Sequence, residues 1–386
     1  MIEGTSTRAR LLAVLAATAM FAAACTSTGA TTAPSVAPAS DAPASAEPSA
    51  SAEPMSYRIG YSNGGGVGNG FREEQVCTAK AEALASGSVT ELITIHRNTD
   101  AAGQLQDIRD LIAADVDAIV FNPNDPDALN PALAEAKAAG ITTVSVDAYV
   151  TDPDTYNLYN NQIKYAELGA TWLFEQLGGT GKVYYMRGIA GHPADSDRDI
   201  GFKNALKNSP GIEVVPSADG VHTGWDPVQG TQLINEFIAS GQYDGIDGIW
   251  TSGIDSVVVD AIKAAKKPFV PIVGADLGGF VGQLLDPAGY PDLKGAAVTN
   301  TAAVGGAGVN LALKLLAGEP VTTAGERPNT VLLDPVAADN VSDEGKALLA
   351  SWQVDGLDPN WPLGLQIEGY TTYTPEQAVA CKGPGE

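Results

Sequence analysis

Asparagine, aspartate, arginine and aromatic side chains recur just beyond short apolar runs in this 386-residue sequence. Asn69, Phe71 and Arg72 follow the run that opens at Tyr57, and Asn122 follows Ala118–Phe121. Asp147 comes directly after Thr142–Val146, while His192, Asp195 and Arg198 come after Lys182–Met186. Trp225, Asp255, Asp276 and Asn300 stand beyond later runs of the same kind. Carboxylates, amides and guanidinium forks each bind hydroxyl groups, often two at a time and with charge-assisted strength. Aromatic rings supply rigid apolar surface for C–H faces. A sugar needs both. Turn chemistry accounts for Asn124 and Asp125 but accounts poorly for Phe71, Arg72, Arg198 and Trp225. Around a neutral ligand, Arg72 and Arg198 can satisfy Asp147 and Asp276.

Other chemistries fit the spacing less well. Gly60-Tyr61-Ser62-Asn63-Gly64 is a literal GxSxG, which would make Ser62 the nucleophile of a serine hydrolase. A nucleophile elbow must turn sharply from strand into helix, whereas Ser62 leads into Gly64-Gly65-Gly66 and Gly68. No phosphate loop is present, since Gly181-Lys182 continues into Val183. Asp195, Asp197 and Asp199 have calcium-loop spacing, but Ile200 and Leu206 occupy the glycine and glutamate positions. They read instead as an acidic helix start. The histidines His96, His192 and His222 lack metal-ligand spacing. No metal and no cofactor is expected.

The elements that must position these residues alternate. Strands are expected at Tyr57–Ser62, Glu91–His96, Ala118–Phe121, Thr142–Val146 and Asn157–Asn160. A second series falls at Lys182–Met186, Ile212–Val215, Gly248–Thr251, Phe269–Val273 and Gly295–Thr299. Amphipathic helical patterns such as Phe71–Ser86, Tyr165–Leu177 and Asp195–Lys207 separate them. The rhythm predicts an α/β protein with parallel sheets and right-handed crossovers, in two similar Rossmann-like lobes. In such sheets ligands bind beyond the carboxyl ends of the strands, where the polar residues above collect.

Ahead of this body stand Arg8, Arg10 and an apolar run from Leu11 to Ala24, too short to span a bilayer and of signal-peptide length. The run ends in Ala22-Ala23-Ala24-Cys25, which looks like a lipobox, so residues 1–24 are expected to be cleaved and Cys25 lipidated. Ala, Pro, Ser and Thr fill 24 of the 29 residues from Thr26 to Pro54. That stretch reads as a flexible tether spanning about 30 Å. The expected location is outside the cytoplasm on a bacterial membrane. With 46 acidic and 22 basic residues, the net charge of −24 removes nucleic acid and anionic lipid as electrostatic partners. Cysteine pairs form disulfides in an oxidising compartment, which leaves Cys77 and Cys381 either bonded or as two buried thiols.

In this order the motifs resemble those of the sugar-binding, extracellular substrate-binding proteins of ABC transporters, of the ribose and galactose type. "DAIVFNPNDPDAL" (117–129) is similar to the family's third-strand segment, "GITTVSVDA" (140–148) to its fourth, and "GIAGHPADSDRDIGF" (188–202) to its arginine segment. "TGWD", "IVGAD" and "GNGFR" match in the same order. The resemblance implies a type I periplasmic binding protein fold, with three crossings between lobes forming the hinge. The first lobe would hold 57–159 and 301–330, and the second 160–300 and 331–386. It implies ligand contacts from Asn69, Phe71, Arg72, Asn122, Asp147, His192, Arg198, Trp225, Asp255, Asp276 and Asn300. It implies partners too: a monosaccharide or related polyol, and a membrane permease with its ATPase, served by a monomer that does no catalysis. A sensing receptor would use the same cleft. Ala148, Ser252-Gly253-Ile254-Asp255 and Thr299-Asn300 depart from the family's pattern at contact positions.

If Cys25 carries the lipid, Cys25→Ser is expected to move the protein from the membrane fraction into the soluble one. Fractionation and immunoblotting read this directly, and retention on the membrane would refute it.

Overall fold

The computed structural model describes residues 56–324 and 327–386. The leader, Cys25 and the tether as far as residue 55 lie outside the described residues. The body opens with β1 (Tyr57–Asn63), α1 (Gly70–Ser86), β2 (Val89–His96), α2 (Ala101–Ala113), β3 (Ala118–Asn122), α3 (Asn130–Ala138), β4 (Thr142–Val146) and β5 (Tyr156–Asn160). It continues with α4 (Gln162–Gln176), β6 (Thr180–Arg187), α5 (Pro193–Asn208), β7 (Gly211–Val215), β8 (Val221–His222), α6 (Pro227–Ala239), β9 (Gly248–Trp250) and α7 (Asp255–Ala264). The last elements are β10 (Ile272–Ala275), α8 (Gly278–Leu284), β11 (Gly295–Val298), α9 (Val304–Leu316), β12 (Thr330–Leu333), β13 (Ala337–Asp339), α10 (Asp343–Ser351) and α11 (Pro375–Ala380).

Two sheets form the two lobes. The first has the order β12-β5-β4-β3-β1-β2 and is parallel throughout. The second runs β13-β11-β10-β9-β6-β7, with β13 antiparallel at its edge and β8 paired to β6. Each sheet is covered on both faces. In the first lobe α1 and α9 bury one face around Ile59, Tyr61 and Val120, and α2 and α3 bury the other around Ile119 and Phe121. In the second, α4 and α5 cover Tyr185 and Trp250, while α6, α7 and α8 cover Ile249 and Ile272. This is the α/β two-lobed architecture that the alternation predicts.

Local chemistry sets the helix ends that matter for the site. Asn69 caps α1 by accepting the Arg72 amide, and Gly87 closes that helix at φ 66°. Helices α1 and α9 cross so closely that a Cβ on Gly305 would overlap the Gln75 carbonyl. One expected strand shifts: the run Phe269–Val273 pairs only from Ile272, because Pro268 and Pro271 lack the N–H that a ladder requires. Strands β8, β12 and β13 add to the ten expected from the pattern.

The chain passes between the sheets after β5, after β11 and between β12 and β13. Hydrogen bonds knit these passages together: Asn161 N to the Leu333 carbonyl at 2.7 Å, Thr299 N to the Val336 carbonyl at 2.9 Å, and Asn160 Nδ2 to the Thr301 carbonyl at 3.1 Å. A fourth passage follows α10. Residues 359–363 run beside the second lobe, where the Gly279 and Gly278 amides donate to the Pro359 and Trp361 carbonyls at 2.7 and 2.9 Å, and Leu363 N donates to the Asp276 carbonyl at 2.9 Å. The segment then crosses to α1, where Glu82 accepts from Thr372 N and Leu365, Tyr373 and Ala378 pack on Ala81. Residues 331–386 are thus divided between the lobes, with β12 in the first sheet, β13 and α10 on the second, and the end of the chain back on the first.

Cys77 of α1 and Cys381, just after α11, form a disulfide that fixes this end of the chain. It closes a loop of 304 residues, and losing such a bond typically lowers unfolding free energy by about 2–5 kcal/mol. Thiol titration of denatured, unreduced soluble domain is expected to find both cysteines blocked, and two free thiols would exclude the bond. Replacing both by Ser is expected to lower the denaturation midpoint.

Candidate functional site

The polar residues at the strand exits of the first lobe form one hydrogen-bonded set. Asn122, ending β3, donates through Nδ2 to Asp147 Oδ2 and to Gln75 Oε1, both at 3.0 Å. Asn63, ending β1, donates to the same Gln75 oxygen at 3.3 Å and accepts Arg72 Nη1 at 3.1 Å. Asp147 takes a left-handed backbone at φ 65°, which turns the chain immediately after β4. Burial raises its carboxyl above the ordinary value, against the pull of Arg72, Asn122 and Arg198. Burial likewise lowers the Arg72 guanidinium, and Asp147 and Tyr61 oppose that shift. The influence of Arg198 on Asp147 crosses from one lobe to the other.

The second lobe answers with its own chain. Arg198 Nε donates to Gln162 Oε1 at 2.7 Å, Gln162 Nε2 to Asn300 Oδ1 at 2.9 Å, and Asn300 N to Asp276 Oδ1 at 2.9 Å. The guanidinium of Arg198 lies over the rings of Tyr165 and Trp225, 4.3 and 5.4 Å from their centroids. Asp276 is fully buried, and burial carries its carboxyl up to about 6 against the Asn300 amide and Arg198. His192 caps α5, with Nδ1 accepting from Ala194 N at 3.2 Å, so the neutral ring carries its proton on Nε2. Burial, then Arg72 and Arg198, hold that ring neutral down to about pH 3. His192 meets Trp225 edge-on at 5.1 Å, and the indole lies on Gly188, where a Cβ would overlap it.

Six buried side-chain atoms around these charges have no hydrogen-bond partner: Tyr61 Oη, Gln75 Nε2 and Asn122 Oδ1 from the first lobe, and Tyr165 Oη, His192 Nε2 and Asp276 Oδ2 from the second. Tyr61 feels Arg72 and Asp147, and Tyr165 feels Arg198 and Asp276, so both phenols belong to the same two clusters. Buried polar atoms nearly always find partners. A set of donors and acceptors left open on both lobes is what a polyhydroxylated molecule would complete.

Of the residues expected from sequence, Arg72, Asn122, Asp147, His192, Arg198, Trp225, Asp276 and Asn300 come together in these clusters. Asn69 serves as the α1 cap, and Phe71 lies half-buried in the first turn of that helix. Asp255 is engaged otherwise: its carboxylate accepts from Gly253 N at 3.1 Å and Ala275 N at 3.0 Å, bracing the loop after β9 against the end of β10. Burial sets its carboxyl at about 7 despite those amides. Gln75 and Gln162 carry no signal at a strand exit and escape a reading of the sequence. Gln75 lies one helical turn beyond Arg72 on the same face, and that spacing is the signal that would have found it. Ser62 lies within β1, fully buried, with its Oγ 3.5 Å from Gln104 Nε2, so it is not exposed on an elbow.

Residues 59–320 match the profile of the periplasmic binding protein domain. The ribose import binding protein of Bacillus subtilis is 27% identical over 229 residues, 55% of this chain and 74% of its own length. The xylitol-binding protein of Mycolicibacterium smegmatis is 27% identical over 245 residues, 63% of this chain and 68% of its own. Among solved structures, an ABC transporter solute binding protein from Thermobispora bispora superposes with a TM-score of 0.68 at 22% identity, covering 84% of this chain and 94% of that one. A Mycobacterium smegmatis protein in complex with β-D-fucofuranose gives 0.64 at 24% identity, covering 77% and 97%. At these identities the structural likeness speaks to the fold.

The bracing role of Asp255 can be checked by calorimetry. Asp255→Ala strands the buried Ala275 amide and the half-buried Gly253 amide, and at about 1–3 kcal/mol for such a loss the variant is expected to melt several degrees lower. An unchanged melting temperature would remove Asp255 from that role.

Proposed function

Because the chain belongs to the periplasmic binding protein domain family, we propose that it is the extracytoplasmic solute-binding component of an ABC importer for a monosaccharide or related polyol. The ligand lies between the lobes, completes the open donors and acceptors of both, and is handed to a membrane permease driven by its ATPase. Cys25 carries the lipid that keeps the body near that permease, and the Ala/Pro/Ser-rich tether gives it reach. The observation that carries the reading is the set of six buried, unpartnered polar atoms split between two lobes around two arginines and two aspartates. The names of the relatives support it, since ribose and xylitol are both polyhydroxylated and neutral. Binding and closure are then one event, because a ligand held by both lobes favours the closed state over the open one.

A thermal-shift screen over pentoses, hexoses, deoxysugars and polyols, with ribose, xylitol and myo-inositol included, identifies the ligand class. Saturation at 100 times the dissociation constant stabilises by about 2.7 kcal/mol, a readily measured shift. Arg198→Ala or Asp276→Ala leaves a buried partner unpaired, a loss of about 1.5–3 kcal/mol and so about tenfold or more in affinity by titration calorimetry. Trp225→Ala is expected to weaken the same sugar through lost stacking, and Trp fluorescence should change on binding. Variants that lose stability while binding the sugar at wild-type strength would sink the site.

A further inference from the structure

One residue of the C-terminal segment is held by both lobes. Asp358-Pro359-Asn360-Trp361 forms a β-turn, in which Asp358 Oδ1 accepts from Asn360 N at 2.8 Å and the Asp358 carbonyl from Trp361 N at 2.9 Å. Asp and Pro suit the first two positions of such a turn, and Pro362 biases Trp361 before it toward extended backbone. The carbonyls of Pro359 and Trp361 then meet the second lobe, where Gly279 N and Gly278 N donate to them at 2.7 and 2.9 Å. Pro362 pairs with Leu277, and Leu363 N donates to the Asp276 carbonyl at 2.9 Å. A Cβ on Gly364 would lie 3.5 Å from Asp276 Oδ2, so the segment runs directly beside that carboxylate. Its other side rests on the first lobe. Gly70 opens α1 between Asn69 and Phe71 and is buried. A Cβ there would lie 2.2 Å from the Asn360 carbonyl oxygen and 2.8 Å from Cδ1 of the Trp361 indole. No side chain fits between them. The carbonyl of Trp361 is thus bound to the second lobe two residues from Asp276, while its ring packs on the first lobe two residues from Arg72.

We propose that Trp361 is a positioning residue for ligand capture: packed on Gly70 and bonded to Gly278, it joins the lobes when they close, so that the C-terminal segment sets affinity through a contact of its own. This rests on the sugar-binding reading above. Lobes that move apart keep one face of the segment and lose the other, so the contact made by Trp361 on both sides belongs to the closed state alone. A sugar that needs the closed state binds with an affinity reduced by the fraction of molecules able to reach it, and that fraction falls when a closed-state contact is removed. Glycine at position 70 is the counterpart of this arrangement, since any side chain there would push Asn360 and Trp361 off α1.

The test is titration calorimetry of the chain from residue 26 onward, using the member of the screen above, ribose, xylitol and myo-inositol among them, that raises the melting temperature most. Trp361→Ala keeps the backbone bonds and loses the packing on Gly70; it is expected to bind that sugar at least about fivefold more weakly, chiefly through faster dissociation. Trp361→Phe keeps a ring and is expected to recover most of the loss. Gly70→Ala reaches the same contact from the other side, so its loss and that of Trp361→Ala are expected to be less than additive in the double variant. A Trp361→Ala affinity within about twofold of wild type, whatever its melting temperature, overturns the positioning role. So do additive losses, because Gly70→Ala would then act through Arg72 alone. Hydrogen exchange on wild type decides the matter where a variant does not fold: the peptide carrying 359–364 is expected to exchange more slowly with sugar bound, and equal rates overturn the proposal. In each of these cases the sugar reading survives, whereas failure of wild type to bind any member of the screen overturns both.

Discussion

Four charges taken out of water and divided between two lobes govern this molecule. Arg72 on α1 and Asp147 beyond β4 belong to one lobe, Arg198 on α5 and Asp276 beyond β10 to the other, and a buried charge is costly unless it is paired and hydrogen-bonded. Neither lobe satisfies its own set completely. Arg198 reaches electrostatically to Asp147, and Arg72 to His192, across the gap. The amides of Asn63, Gln75, Asn122, Gln162 and Asn300 hold each charge in one orientation, and some are held so rigidly that their remaining donors and acceptors stay open. Preorganisation of this kind lets a ligand gain hydrogen bonds without ordering the groups that make them.

The hinge passages and the candidate site share residues. Gln162 begins α4 just past one crossing, Asn300 lies in another, and the two are joined by a 2.9 Å hydrogen bond that continues to Arg198 on one side and Asp276 on the other. Gln162 and Asn300 thus join these passages to Arg198 and Asp276 through at most two bonds. The C-terminal segment adds a restraint of its own, for it accepts from Gly278 and Gly279, donates to the Asp276 carbonyl, and ends in a disulfide on α1. Opening must flex this segment as well as the three hinge passages, or break its hydrogen bonds beside Asp276.

Much of this was legible because parallel sheets make a simple demand. Each strand is buried on both faces and reads as a short apolar run, and the residues just after it must lie at the carboxyl edge. That rule picks out Asp147 and Asp276, while Arg198 lies farther on, inside α5, in the segment that follows β6. The rule misses the supporting amides, since Gln75 lies inside a helix where an amide has no distinct pattern. Glu74 was invisible for a further reason: a carboxylate on an amphipathic helix reads as solvated, whereas here the fold buries it completely. The C-terminal segment carries few apolar runs, and its place is set by long-range contacts with no local pattern: the Cys77–Cys381 bond, the Glu82–Thr372 hydrogen bond and the packing of Leu365, Tyr373 and Ala378 on Ala81. Phe269–Val273 has the composition of a strand, but its prolines delay the pairing.

On the proposed function, the charge state of the cleft between the lobes follows from these positions and bears on the ligands it would hold. Two guanidinium groups lie among two carboxylates, burial and then both arginines hold His192 neutral, and burial and then Asp276 push the Glu74 carboxyl well above the ordinary range. The groups that could break the balance are thus the ones driven to their uncharged forms. An ionic ligand entering such a site would bring a charge with no opposite left to meet it, at a cost of several kcal/mol once water is excluded. A neutral polyol brings only hydroxyls, each able to donate to a carboxylate and accept from a guanidinium or imidazole N–H. The strongly acidic exterior, with its net charge of −24, does not alter this choice, because fields from solvent-exposed charges are screened within about 10 Å at ordinary salt. On the proposed function, selection for neutral ligands would be set inside the cleft, by which groups ionise there.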